Sequence, residues 1–503
     1  MRRMSATPCI IIQSCLLFYL FTFLSLSPAA AQDTIRRSCR QSALPAHLAA
    51  RRAPGHAQAD LTAYQGHRRQ LTVLAEFSDQ AFLGDEEATL LVWNRILNER
   101  DFSQEPFVGS VHDYFYAQSY GQFSVTFDLY YVQLDGSRAR YRSTTANDEN
   151  SQFLVNDIVD QLESMSINWS VYDWDGDGEV NQILIIFAGK GSGYGGFGGG
   201  TDAIWPHQWW LSHHEDPTTH EPCQPRTVSA ADGSQYTIDS YCAVQELKSD
   251  GSYGIFGTIC HEYSHCFGLP DFYYGSTSYL RTWDLMDYGN NNGGGFCPCG
   301  YSAHERMLLG WLTPQELTSG ATVSGMAALA DAPEAYLLRN EGYSNEFYLI
   351  ENRQRKGWDA SLPGSGVTIF HIDYDQNIWN GFDEYPNSPK KQRYVIIPAN
   401  NKSLFSYSSG WPYPYETNNE LTNNSTPAST LQHANTDGSL LMSKPLTNIS
   451  VNGGLGSFDF MGGTAAIGST TAATAEPTLL YRIGPIDIVR TADGSVRKTF
   501  RGN

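Results

Sequence analysis

The segment Thr258–Asp271 reads TICHEYSHCFGLPD and contains the spacing His-Glu-x-x-His. On a helix, residues four apart project from the same face, so the imidazoles of His261 and His265 can bind one metal ion, and zinc suits that pair. Glu262 is placed to take a proton from a water molecule whose pKa zinc lowers from about 15.7 to about 7. The segment therefore predicts a zinc site whose activated water attacks a peptide carbonyl, with Glu262 as the general base.

The residues after the second histidine predict a third ligand. Gly268 falls where the chain must leave the helix, and Pro270 prevents the helix from resuming. Asp271 then returns an oxygen towards the ion. Because an open zinc site needs three protein ligands, Asp271 is a candidate for the third.

Further along, Trp283–Tyr288 resembles the methionine-containing turn that lies beneath the metal in metzincin peptidases. The resemblance implies that Met286 forms a hydrophobic floor below the ion. It also implies that the hydroxyl of Tyr288 faces the oxyanion that develops during catalysis.

Several blocks of sequence are similar to the catalytic domain of immune inhibitor A-type metallopeptidases, a family of secreted bacterial zinc proteases. The blocks are Gly109–Phe115, Asp173–Gly178, Ile204–His207, residues 258–274 and Gly300–Trp311. The resemblance covers residues 70–320 and continues more weakly through Gly364–Asp375. It implies a metzincin-like fold and peptidase activity.

The same resemblance leaves the third zinc ligand open, because some members of the clan take it from a glutamate on a later helix. Glu305 is the residue at that place. Ser302-x-x-Glu305 also matches a capping box at the start of an apolar helix. Asp271 and Glu305 therefore both stand as candidates.

A second metal is predicted in an Asp-Gly turn. Asp173, Asp175 and Asp177 alternate there and resemble the first half of a calcium loop. The twelfth position of that loop is Leu184 instead of a glutamate, so other residues would have to complete the site. We expect structural calcium, with a solvated acidic turn as the alternative.

Hydrophobic patterns predict an α+β protein with two folded domains, since 503 residues exceed what one core usually supports. Leu71–Phe77 and Gln182–Ala188 are typical of buried strands, and Asn147–Ser164 has helical spacing. After residue 317, short β-type runs alternate with Gly, Pro and Asn turns. The predicted organisation is a signal peptide at 1–31, a prosegment at 32–69, a metzincin-like catalytic domain with a mixed twisted sheet and an active-site helix at 70–317, a β-sandwich-like domain at 318–463, and a linker and tail at 464–503.

Composition and the N-terminus indicate where the protein acts. The formal charge of -20, from 33 Lys+Arg and 53 Asp+Glu, repels phosphate backbones, so no nucleic acid partner is expected. Met1–Ala31 has the basic start, apolar run and small-residue end of a cleaved signal peptide, and no later stretch is apolar enough to span a bilayer. We expect a monomer that is secreted or attached to the cell surface, with proteins or peptides as substrates.

The cysteines predict disulfides. Of the nine, Cys9 and Cys15 leave with the signal peptide, so seven remain. Six of these, between Cys223 and Cys299, could form up to three disulfides in an oxidising compartment. Cys39 lies in the prosegment, where its thiolate could cap the zinc of a latent precursor or simply be removed with the prosegment.

The sequence as a whole predicts a secreted zinc-dependent endopeptidase made as a zymogen. Two other functions fit the same pattern: a catalytically inactive surface binding or adhesion protein stabilised by zinc and calcium, and a zinc hydrolase whose substrate is not protein. The intact Glu262 disfavours the first alternative, because a structural zinc site needs no general base.

Overall fold

The structure is a computed structural model that describes residues 64–142, 150–191, 204–216, 218–275, 277–379, 385–402, 408–468, 478–483, 486–490 and 496–500. The predicted signal peptide, most of the prosegment and Cys39 lie outside these residues. Within them, no helix is long and apolar enough to cross a membrane.

A five-stranded sheet with strand order β2-β1-β4-β8-β5 forms the centre of the N-terminal half. The strands of this half are β1 (Gly66–Glu76), β2 (Phe123–Gln133), β3 (Glu179–Val180), β4 (Ile183–Lys190), β5 (His207–Trp210), β6 (Arg226–Ser229), β7 (Gln235–Ile238) and β8 (Ser240–Leu247). The first four strands of the sheet are parallel, and β5 pairs antiparallel to β8 at one edge. A second, three-stranded sheet has the order β3-β7-β6.

Strand β4 is buried over almost its whole length, as an uninterrupted apolar sequence in a parallel sheet requires, because helices and loops cover both faces. Strand β1 begins at Gly66, earlier than the apolar run starts, because its polar first residues pair with β2. That pairing extends the sheet outward beyond the core.

Seven α-helices are described: α1 (Glu86–Asn98), α2 (Val111–Gln118), α3 (Arg138–Tyr141), α4 (Ser151–Leu162), α5 (Phe256–Cys266), α6 (Ala303–Leu308) and α7 (Gln376–Trp379). Helices α1 and α2 pack on β2, and α5 packs on β8 and α2. The contact between α2 and α5 is aromatic, since the ring of Phe115 lies 5.2 Å from that of Tyr263 and 5.3 Å from that of Phe267. This packing fixes the position of α5, the helix with the two histidines.

Two sheets dominate the C-terminal half. Their strands, with a short terminal set, are β9 (Gln315–Glu316), β10 (Ala321–Met326), β11 (Tyr336–Arg339), β12 (Glu346–Arg353), β13 (Gly366–Asp373), β14 (Tyr394–Ile396), β15 (Leu446–Asn452), β16 (Leu455–Phe460), β17 (Ala465–Gly468), β18 (Thr478–Ile483), β19 (Ile486–Arg490) and β20 (Val496–Phe500). Their strand orders are β14-β13-β12-β11-β9 and β15-β16-β10-β17, and β18-β19-β20 form a separate sheet.

The sheet β14-β13-β12-β11-β9 belongs to two hydrophobic cores because successive side chains of a strand face opposite sides. Leu349 and Phe370 join the core of the N-terminal half. Tyr348 and Ile369, one residue away along each strand, pack towards the sheet β15-β16-β10-β17. The first of these two cores therefore contains residues from both halves of the chain.

These sheets and helices confirm the α+β class. The prediction of disulfides is wrong for the described cysteines, all six of which are free thiols. Cys242, Cys260 and Cys299 are fully buried on a strand, a helix and a loop, where they pack as small apolar side chains. Burial raises the pKa of each of these three thiols well above its ordinary value, so they stay protonated.

Candidate metal centre

The helix α5 is buried along all eleven residues. A Cβ at Gly257 would overlap the carbonyl oxygen of Asn290, so a glycine is needed for the close approach of that segment. At the other end, Gly268 adopts a φ of +78°, and its N–H donates to the carbonyl of His265 at 2.6 Å. This turn ends the helix as the sequence predicts and directs the chain towards Asp271.

Backbone carbonyls fix the orientation of both imidazoles. Nδ1 of His261 lies 2.8 Å from the carbonyl oxygen of Leu285, and Nδ1 of His265 lies 2.8 Å from that of Leu269. Since a carbonyl only accepts, each Nδ1 carries the proton when the ring is neutral, and each Nε2 keeps its lone pair. Metal-binding histidines in proteins are held in this way.

Asp271 faces both Nε2 atoms. Its Oδ1 lies 3.2 Å from Nε2 of His261 and 3.4 Å from Nε2 of His265. The carboxylate is completely buried, and within the described part of the chain neither oxygen accepts a hydrogen bond. A buried carboxylate without hydrogen-bond donors is costly unless a cation compensates it.

The charges of the three groups are coupled. Burial raises the pKa of Asp271, but the two imidazoles outweigh it and lower the pKa below its ordinary value. Burial lowers the pKa of His261, but Asp271 and Glu262 outweigh it and raise the pKa to about 9. Both shifts have the direction expected of a carboxylate that lies next to positive charge.

The geometry fits a metal ion. One ligand atom from each of His261, His265 and Asp271 lies within 4.8 Å of the others, and all three residues are buried. Two imidazole nitrogens and one carboxylate are a donor set that zinc accepts at catalytic sites. The carboxylate of Glu262 is also buried, and its Oε2 lies 4.0 Å from Nε2 of His265.

Glu305, the other candidate for third ligand, lies in a different contact. Its Oε2 accepts from the N–H of Ser302 at 2.7 Å, and its own N–H donates to the Ser302 hydroxyl at 3.2 Å, which is a capping box at the start of α6. Burial raises the pKa of Glu305 to about 8. The structure thus brings Asp271 to the histidines and uses Glu305 as a helix cap.

The turn with Met286 lies directly beside this centre. The side chain of Met286 is fully buried, and its backbone carbonyl oxygen accepts from the N–H of Phe272, the residue after Asp271, at 2.9 Å. The preceding residue, Leu285, supplies the carbonyl that holds His261. The turn therefore holds both α5 and the segment that carries Asp271.

Tyr288 reaches the centre through another aromatic ring. Its ring lies 5.9 Å from that of Tyr273, which stacks on His261 at 6.4 Å. The hydroxyl of Tyr288 has no hydrogen-bond partner among the described residues, and burial raises its pKa above the ordinary value. This protonated hydroxyl is available to donate a hydrogen bond.

Comparison with known proteins identifies the family of the N-terminal half of the chain. Residues 64–309 match the catalytic domain of the family described as immune inhibitor A peptidase M6. Residues 64–309 are therefore a catalytic domain of the immune inhibitor A peptidase family. The family is the one that the sequence blocks resemble.

Two relatives agree with this immune inhibitor A assignment. The chain is 30% identical over 188 residues to the pre-pro-metalloprotease PrtV of Vibrio cholerae. This alignment covers 33% of this chain and 19% of that protein. It is 26% identical over 272 residues to Immune inhibitor A of Bacillus thuringiensis subsp. alesti, with 45% of this chain and 37% of that protein. The chain thus spans well under half the length of these relatives.

The acidic turn of the immune inhibitor A domain brings Asp173, Asp175 and Asp177 together at the surface, with one oxygen of each within 4.8 Å of the others. The carboxylate of Asp173 also accepts from the N–H groups of Gly176 at 2.7 Å and Gly178 at 3.0 Å. These bonds shape the turn, so the cluster has a structural explanation beside the predicted calcium.

Sequence reasoning missed three parts of the immune inhibitor A centre. The carbonyls of Leu285 and Leu269 leave no mark in a sequence, because any residue has a carbonyl. The stacking of Tyr273 on His261 was also missed. Its position two residues after Asp271 is the signal that could have found it.

Proposed function

We propose that this chain is a zinc-dependent endopeptidase in which His261, His265 and Asp271 bind the metal and Glu262 is the general base. One observation supports this most strongly: two imidazoles, each anchored at Nδ1, point Nε2 at a buried carboxylate that accepts no hydrogen bond from any described residue. The membership of residues 64–309 in a peptidase family supports the reaction type.

Zinc, when bound, would supply a Lewis acid that polarises the scissile carbonyl and acidifies water. The roles of the chain's own groups follow from their positions. Glu262 accepts the proton of the attacking water and passes it to the leaving amine. Tyr288 donates a hydrogen bond to the developing oxyanion, and Met286 forms the apolar floor below the histidines.

The decisive experiment is casein cleavage by the mature protein and by Glu262→Gln, with zinc content measured for both. We expect stoichiometric zinc in both proteins and loss of at least about 100-fold in the rate for the variant, since general base catalysis is worth 10²–10⁴-fold. Equal activity in the variant would refute the mechanism. Zinc binding without cleavage in the wild type would favour the surface binding or adhesion protein, and cleavage of other esters or amides alone would favour a hydrolase of non-protein substrates.

The finer features of the fold also belong to this proposal. We propose a metzincin-like catalytic domain at 70–317 and a β-sandwich-like domain at 318–463; the parallel sheet with α5 behind it and the two facing C-terminal sheets support them. Calcium in the turn at Asp173–Asp177 stays a prediction from the sequence, since three neighbouring carboxylates at a surface are common without an ion. Secretion, activation from a zymogen and a monomeric state stay predictions from the sequence.

A further inference from the structure

A buried ion cluster lies between β12 and the loop before α6, and the proposed mechanism does not use it. Nε and Nη2 of Arg353 lie 2.8 and 2.7 Å from the two carboxylate oxygens of Asp359. Nη1 of Arg353 lies 3.1 Å from Oε1 of Glu351. All three side chains are buried. The removal of charged groups from water costs free energy, which is offset only when every charged atom is well paired.

The cluster is completed by the backbone of residues 300–303. Oδ1 of Asp359 accepts from the N–H of Gly300 at 2.9 Å, and Oε2 of Glu351 accepts from the N–H of Ala303 at 2.6 Å. Nη2 of Arg353 donates to the carbonyl of Gly300 at 3.0 Å. Three bonds from the C-terminal half therefore hold both ends of this short segment.

Between those ends, Tyr301 contacts the helix with the two histidines. Its hydroxyl is hydrogen-bonded to that of Ser264, the residue immediately before His265. The hydroxyl of Ser264 also lies 2.5 Å from the carbonyl oxygen of Cys260, one turn earlier on α5. Tyr301 is fully buried, and the side chain of Gln118 accepts from its N–H at 2.9 Å.

We propose that Arg353, Glu351 and Asp359 are positioning residues for the metal centre, which they support by holding residues 300–303 so that Tyr301 fixes Ser264 and the histidine beside it. The inference rests on the proposed function and assigns part of the site's support to the C-terminal half of the chain. A positioning role predicts an effect on the centre itself, whereas a role in general stability predicts only a lower melting temperature.

The test uses Asp359→Asn and Tyr301→Phe in the full chain, with Glu346→Gln as the matched control. Glu346 lies on the same strand β12, is equally buried, and accepts from His371 at 2.6 Å and from the N–H of His433 at 2.9 Å, both in the C-terminal half. Loss of this group should therefore lower stability without reaching α5. Tyr301→Phe removes one hydroxyl only, so it carries the test if Asp359→Asn fails to fold.

Two quantities are measured: zinc affinity by competition with a chelator, and hydrogen exchange of the α5 amides in the metal-free protein. We expect zinc affinity to fall about tenfold in Tyr301→Phe and Asp359→Asn, the lower end of the 10–100-fold loss known for direct partners of metal ligands, because Tyr301 contacts the residue beside His265 and not the ligand itself. We also expect faster exchange in α5 for both, and no change in either quantity for Glu346→Gln.

Unchanged affinity and exchange in the two test variants would overturn the inference, and so would equal changes in the control. If the wild type binds no zinc, the proposed function fails while the exchange measurement still decides the positioning role. Wild-type protein that binds zinc and cleaves casein, with test variants identical to it, refutes the positioning role alone.

Discussion

At the scale of single residues, the metal centre depends on which hydrogen bonds are absent as much as on those present. The Nδ1 atoms of His261 and His265 are committed to backbone carbonyls, so only Nε2 can serve a ligand. Asp271 completes the trio with two oxygens that accept no hydrogen bond among the described residues. The arrangement is stable only if a cation or shared protons occupy the space between these atoms.

Asp271→Asn should therefore lose zinc, whereas Glu305→Gln should keep it. The amide has nearly the volume of the carboxylate but no negative charge. We therefore expect zinc affinity to fall by more than about 100-fold, which is the largest loss usual when a residue that only contacts a metal ligand is removed. Glu305→Gln keeps a side-chain acceptor for the capping box and should bind zinc normally. Metal analysis after dialysis against a weak chelator distinguishes the two, and the reverse pattern would make Glu305 the ligand.

Glu305 also makes stability depend on pH. Burial raises its pKa from 4.5 to about 8, so the folded state favours the protonated acid. Its contribution is complete below pH 4.5 and is lost as pH rises through about 8. We expect the free energy of unfolding of the wild type to fall across that window relative to Glu305→Gln, by an amount on the order of a few kcal/mol. Parallel pH profiles from urea denaturation would contradict this.

At the scale of elements, the position of α5 depends on a glycine. Alanine at position 257 would gain up to about 1 kcal/mol of helix propensity. The added Cβ would overlap the Asn290 carbonyl, and overpacking of this kind costs about 1–3 kcal/mol. The clash wins because a backbone oxygen cannot move aside as a flexible side chain can.

We therefore expect Gly257→Ala to destabilise the protein by about 1–2 kcal/mol and to lower zinc affinity, because the helix shifts away from Leu285. Gly468→Ala is the control, since a Cβ there meets no atom within 4 Å. Denaturation curves and chelator competition measure both effects. A Gly257→Ala protein as stable as the control would show that the Asn290 segment yields easily.

The elements show what the sequence could predict. The apolar run at Gln182–Ala188 gave β4, and the helical spacing in Asn147–Ser164 gave α4, because burial imposes a period that a single segment displays. The spacing of His261 and His265 predicted that both imidazoles project from one face of α5, because residues four apart on a helix lie about one turn apart. The carbonyl of Leu285 and the contacts of Arg353 could not be predicted, since they join residues far apart in the chain.

At the scale of the whole molecule, the two halves share a core and an ion cluster. The rings of Phe256 on α5 and Trp358 in the C-terminal half stack with 5.7 Å between their centroids. Leu349 and Phe370 on the C-terminal sheet belong to the same core as the strands of the N-terminal half. Removal of the C-terminal half would expose this apolar face and break the bonds of Gly300 and Ala303 to Glu351, Arg353 and Asp359.

A fragment of residues 64–317 should consequently fail to fold as an independent unit, although it contains every residue proposed to bind zinc. Its apolar face would lose the covering sheet, and burial of apolar surface contributes about 25 cal/mol per Å². We expect the fragment to aggregate or to lack a cooperative thermal transition by circular dichroism, whereas the full chain shows one. Residues 64–468 serve as the control, because they retain both large C-terminal sheets. A soluble fragment 64–317 with a cooperative transition and bound zinc would mean that the N-terminal half folds alone, and that the C-terminal half covers its core without being required for it.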